Sequence, residues 1–78
     1  MKLTYKLANM LNDLLRNDHE VFVNGNEIEG IGIIDGMFDE ARYFEIYDMN
    51  ADHFQYDEGT EINVDIYKVT RERIHVEA

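Results

Sequence analysis

Asn24-Gly25 lies between two apolar stretches, VFV before it and NEIEGIGII after it, and no other feature limits this chain more. A two-residue type I′ turn needs positive φ at both central positions, which Asn and Gly reach at the least cost. The stretch therefore predicts a hairpin with strands at 20–23 and 26–34. Ile28 and then Ile31 and Ile33 break the two-residue alternation of a strand. One extra residue, most simply at Gly30, restores it as a bulge. Gly30 and Gly32 do not form a G-x-G-x-x-G phosphate loop.

The segment before the hairpin reads as a helix over 3–16. Leu3, Leu7, Met10, Leu11, Leu14 and Leu15 recur at spacings of three and four, which places them on one stripe. Lys6, Asn9, Asn12, Asp13 and Arg16 fall outside that stripe and are expected to be wet. Asn17 or Asp18 can adopt the left-handed conformation that ends a helix.

Beyond the hairpin, Asp35-Gly36 marks a second turn, and 37–41 reads as a loop or one helical turn. Residues 42–49 alternate Phe44 and Ile46 against Tyr43, Glu45 and Tyr47, a strand with one aromatic and acidic face. A loop or short helix is expected next. Residues 60–69 alternate again, with Ile62, Val64 and Ile66 inward and Glu61, Asn63, Asp65 and Tyr67 outward. The tail at 70–77 reads as a fifth strand or an extension of the fourth. The fold class is thus α+β: one N-terminal amphipathic helix packed on an antiparallel sheet of four or five strands, because neither element can bury its apolar side alone.

Its 78 residues make a single domain, 1–78. A chain this short buries only roughly 60% of its unfolded surface, so pairing of two copies as a homodimer is one expected source of extra stability. No apolar run approaches the ~20 residues that span a bilayer, and the first 17 residues have no apolar block of the signal-peptide kind. A cytoplasmic protein of a bacterial host, without membrane partners, is the expectation.

Cys, Ser, Pro and Trp are absent. Thiolate zinc sites and Ser or Cys nucleophiles are therefore excluded. His19, His53 and His75 are scattered without metal-ligand spacing. Asp48-x-Asn50-x-Asp52 matches the opening of a calcium loop, but His53 stands where the loop needs Gly and Gly59 where it needs Glu. Paired carboxylates of the glycosidase kind need a sugar-binding cleft, for which so small a domain has little volume. The expectation is no enzyme, no resident metal and no cofactor.

Charge is concentrated in the middle of the chain. From Asp35 to Asp65 there are ten acids and one base, Arg42, so this segment carries −9 of the net −10. Direct nucleic-acid binding needs clustered Lys and Arg and is not expected. The segment DMNADHFQYDEGTE, 48–61, has no Lys or Arg and sets acids beside aromatic rings. Charge steers association and aromatic rings anchor it. The candidate partner-binding residues are Glu45, Tyr47, Asp48, Asp52, Tyr56, Asp57, Glu58, Glu61 and Asp65. A solvated surface over an aromatic core accounts for the same residues.

In size, charge and layout the chain resembles the small acidic proteins with which phages and mobile elements block host nucleic-acid enzymes, the anti-CRISPR and antirestriction DNA mimics. The segment LANMLNDLLRNDHEVFVNGNEI also resembles the helix-then-hairpin opening of small phage proteins. The resemblance implies an inhibitor whose partner is a basic nucleic-acid-binding protein or enzyme of the host. Duplex DNA carries one charge per ~1.7 Å of axis. Alternate residues of a strand lie ~6.6 Å apart and neighbouring strands ~4.8 Å apart, so rows of Asp and Glu on a sheet approximate that density. The alternatives are a regulatory or adaptor module for another basic protein, and a structural accessory protein of a phage or mobile element.

Overall fold

The computed structural model describes residues 1–35, 42–50 and 52–68. Helix α1 spans Tyr5–Arg16, followed by β1 (His19–Val23), β2 (Asn26–Asp35), β3 (Arg42–Asp48), β4 (His53–Asp57) and β5 (Val64–Lys68). The strands form one five-stranded antiparallel sheet in the order β4-β3-β2-β1-β5. The α+β layout read from the sequence is the one observed.

The helix begins later than its apolar stripe suggests. The Thr4 hydroxyl accepts from the Leu7 N–H at 3.1 Å and caps the first turn, the usual role of a Thr just outside a helix. Leu3 therefore lies outside the helix, before an extended Thr4. Its backbone is clasped to the segment before β5: Leu3 N–H donates to Thr60 O, and Gly59 N–H donates to Leu3 O. Leu3 and Ala8 are both fully buried, at the two positions of a hydrophobic staple. Asn17 caps the other end through its N–H to Leu14 O, and Asp18 takes the left-handed conformation at φ 61°.

The β1–β2 hairpin has the expected turn, with φ 51° at Asn24 and 84° at Gly25. The strand register shifts between Ile28 and Gly30, opposite Asp48 and Tyr47 of β3. The bulge thus lies where the alternation breaks. It also divides the neighbours of β2. β1 is paired with β2 only near the turn, Phe22 with Glu27 and Val23 with Asn26, whereas β3 follows β2 from Ile28 to Asp35.

Asn12 supports β2 where β1 has left it. Its Nδ2 donates to Ile31 O and its Oδ1 accepts from Ile31 N, both at 2.9 Å. This corrects the expectation of a wet Asn12. An amide side chain offers both an N–H donor and a C=O acceptor, the same kinds of group that a strand residue presents to its neighbour.

The core comprises Leu3, Ala8, Leu11, Val21, Val23, Ile28, Ile31, Phe44, Ile46 and Ile62, with Leu7, Leu14, Leu15, Ile33, Tyr56 and Val64 packed at its margin. Met10, although on the helical stripe, is exposed. Two further expectations are corrected. The stretch after Asp48 forms β4 rather than a loop or helix. The final described strand starts at Val64, because Glu61 bridges to Lys2 and Asn63 is tied to Asn24. The readings for 37–41 and 70–77 lie outside the described residues.

Candidate partner-binding surface

Cross-strand register decides which of the acidic and aromatic residues share a face. Phe44 and Ile46 point into the core and stand opposite Tyr56 and Phe54 of β4. Tyr43, Glu45 and Tyr47 point the other way, opposite Asp57, Gln55 and His53. The outer face of β3 and β4 therefore unites Glu45, Tyr47 and Asp57 from the expected set. The Tyr47 hydroxyl donates to Glu45 Oε2 at 3.1 Å. That hydrogen bond, with the nearby charge of Glu45, raises the Tyr47 phenol above its ordinary pKa. The Tyr47 ring makes a tilted contact with His53, centroids 5.9 Å apart, and lies over Gly32 of β2.

Asp48 is corrected from a surface acid to a buried one, only 4% exposed. Its Oδ1 accepts from the N–H groups of Asn50 and Asp52, both at 3.0 Å, while Asp48 N–H donates to Asp52 O. The carboxylate thereby satisfies the backbone of the tight β3–β4 connection, a local role common for Asp. The calcium-like spacing of 48, 50 and 52 reflects this turn. Among the described residues, no group of three or more His, Cys, Asp or Glu is placed to hold a metal ion.

The other expected residues are dispersed. Asp52 is exposed in the β3–β4 turn. Tyr56 faces inward and is half-buried, its hydroxyl accepting from Asn24 Nδ2 at 3.5 Å. Glu58 lies 3.6 Å from Arg42 Nη1, and Glu61 lies 3.1 Å from the Met1 amine. Both acids remain largely solvent-accessible, where such pairs contribute little stability. Asp65 is on β5, separated from β4 by β3, β2 and β1. Arg42, the lone base of the acidic segment, is held by Asp35 at 2.8 Å and stacks over the Tyr5 ring, 4.8 Å from its centroid.

Register also reveals a grouping that sequence reasoning missed. Phe22 stands between Asp65 on one side and Glu27 on the other, and Glu20 stands opposite Tyr67. All five belong to the face of the sheet turned away from Val21 and Val23. The signal was present in HEVFV, where Phe22 falls out of phase with two buried valines.

Comparison with family models, with curated proteins and with solved structures gives no match. Among the described residues, no helix is long and apolar enough to cross a membrane.

Proposed function

We propose that this protein is an acidic protein-binding module that docks the outer face of β3 and β4 on a basic surface. The observation that carries this reading is the arrangement of Glu45, Tyr47 and Asp57 on one face, with exposed Asp52 at its end. One of these carboxylates, Glu45, accepts from the hydroxyl of Tyr47, a ring that is itself 40% exposed. Carboxylates raise the rate of encounter with a cationic surface, and a ring such as Tyr47 supplies contact area that excludes water.

The finer proposal is that the basic surface is the nucleic-acid site of a host enzyme, which the module occupies in place of DNA or RNA. A net charge of −10 on so small a chain supports it, because a nucleic-acid channel selects for dense negative charge. A regulatory or adaptor role is the second reading. It is favoured by the burial of Asp48 and the pairing of Glu58 and Glu61, which thin the array of free acids.

The test is capture of bacterial lysate proteins on the immobilised chain at low and high salt, followed by competition with duplex DNA and RNA. A mimic retains nucleic-acid enzymes at low salt, and their own substrate displaces them. An adaptor retains a partner that nucleic acid does not displace. If the Glu45→Gln, Asp52→Asn, Asp57→Asn variant retains the same proteins in the same amounts, this face is not the docking surface.

A further inference from the structure

A second surface, on the opposite half of the sheet, sets three carboxylates around an aromatic pair. On the outer face, β5, β1 and β2 align Asp65, Phe22 and Glu27 in one row and Tyr67 and Glu20 in the next. The Phe22 and Tyr67 rings meet edge to face, with centroids 5.7 Å apart and planes at 87°. Tyr67 is 57% exposed, so this aromatic pair is preformed and accessible. None of the carboxylates of Glu20, Glu27 and Asp65 has an ion-pair partner among the described residues. Lys68, the nearest base on β5, alternates onto the other face with Val64 and Ile66.

The same molecule contains a comparable grouping around one of its own cations. At the far end of the sheet, the Arg42 guanidinium lies over the Tyr5 ring and between the carboxylates of Asp35 and Glu58. An aromatic face flanked by acids is there filled by the chain's own arginine. The Phe22–Tyr67 surface has the same components and no cation among the described residues.

We infer that Glu20, Phe22, Glu27, Asp65 and Tyr67 form a docking surface for an arginine-bearing segment of a partner protein. Arginine fits this surface better than lysine. Its planar, weakly hydrated guanidinium stacks on a ring while its N–H groups reach carboxylates at the ring's edge. An ammonium is attracted by the acids but gains less from the rings. This surface uses none of the residues of the β3–β4 face, so it stands or falls separately from the function proposed above.

The test is titration of the ¹⁵N-labelled protein with a hexa-arginine peptide and, in parallel, a hexa-lysine peptide at low salt. Amide shifts are expected to concentrate at residues 20, 22, 27, 65 and 67. Arginine should bind roughly two- to fivefold more tightly than lysine, the worth of an exposed cation–π contact. Phe22→Leu with Tyr67→Leu should abolish that preference, and Glu20→Gln with Asp65→Asn should weaken both peptides. Glu45→Gln with Asp57→Asn should leave the shifts at 20, 22 and 67 in place. Should the aromatic variant fail to fold, the carboxylate variant and the wild-type shift map each decide the matter alone. Equal affinity for the two peptides overturns the inference, as do shifts spread evenly over all acidic residues or centred on 45, 47 and 57.

Discussion

Asn12 and Ile31 are bonded to one another twice, side-chain amide to backbone, at 2.9 Å in each direction. The helix thus takes over the hydrogen bonding that β1 supplies to β2 only near the turn. Asn12→Ala leaves an N–H and a C=O without partners in a part-buried place and should cost about 1–3 kcal/mol. Urea denaturation reads the change, with the exposed Lys6→Ala as a control expected within about 0.5 kcal/mol of the parent. A variant as stable as the parent would show that water replaces the amide without loss.

The turn at Asn24-Gly25 separates two effects. A Cβ on Gly25 meets nothing within 4 Å, so Gly25→Ala should be destabilising by conformation alone, about 1–2 kcal/mol for an L residue held in the left-handed region. Gly25→Val should cost more. Asn24→Gly keeps the turn but removes the Oδ1 that accepts from Asn63 N–H at 2.9 Å, a loss of about 1 kcal/mol. Thermal melts should rank Gly25→Val the least stable, then Gly25→Ala, then Asn24→Gly.

Along α1, burial should grade the cost of truncation. Leu11 is fully buried, and Leu11→Ala is expected to cost about 2–5 kcal/mol. Leu14 is half-buried and should cost less. Met10, at 45% exposure, should change stability by about 0.5 kcal/mol or less when cut to Ala. Equal losses at Met10 and Leu11 in chemical denaturation would mean that Met10 is covered in solution, as it would be in a dimer.

Asp48 should behave as a structural residue. Asp48→Ala removes the acceptor for Asn50 and Asp52 N–H, and hydrogen exchange at both amides should accelerate. Asp48→Asn keeps an oxygen at the same place and should protect them better. For the same reason, Asp48→Asn should alter association with a basic partner far less than Asp57→Asn does.

Tyr47 supplies a pH signature. Its raised phenol pKa, caused first by the hydrogen bond to Glu45, favours the neutral ring in the folded state. The associated stability is therefore present below the ordinary tyrosine pKa of ~10 and is lost as pH rises through the higher folded value. Ultraviolet difference titration of the parent against Tyr47→Phe should show this ring ionising later than an ordinary tyrosine. Glu45→Gln should bring it back towards the ordinary value.

The elements that were legible in the sequence are those whose information is local. Asn24-Gly25 needs only its own φ angles, and the alternation of Phe44 and Ile46 needs only a pleat. The break after Ile28 pointed to the bulge for the same reason. Asn12 and Asp48 are not legible in this way, and the inward or outward side of Tyr56 stays open, because their environments come from segments distant in the chain or from the backbone of a turn. Periodicity assigns Asn12 to the wet side of a helix and has no means of registering the unpaired Ile31 backbone beside it. A run of acids likewise shows no difference between Asp48, turned inward on two amides, and Asp57, turned outward one strand away. Alternation turns Ile66 inward, and its register with Val21 agrees. It is nonetheless 41% exposed, because α1 packs on β1 and β2 and does not extend over β5.

The pairing of β1 with β5 also sets a timetable. β1 is the first of the described strands to be synthesised, and the strand that flanks it, from His19 opposite Lys68 to Val23 opposite Val64, is the last of them. The β1–β2 hairpin and α1 can form from neighbouring residues, but the pairing of β1 with β5 waits until residue 68 has been made. Long-range closure of this kind slows folding. In the interval the HEVFV edge is open to pairing with other nascent chains, so the yield of soluble protein should depend on how quickly synthesis reaches residue 68.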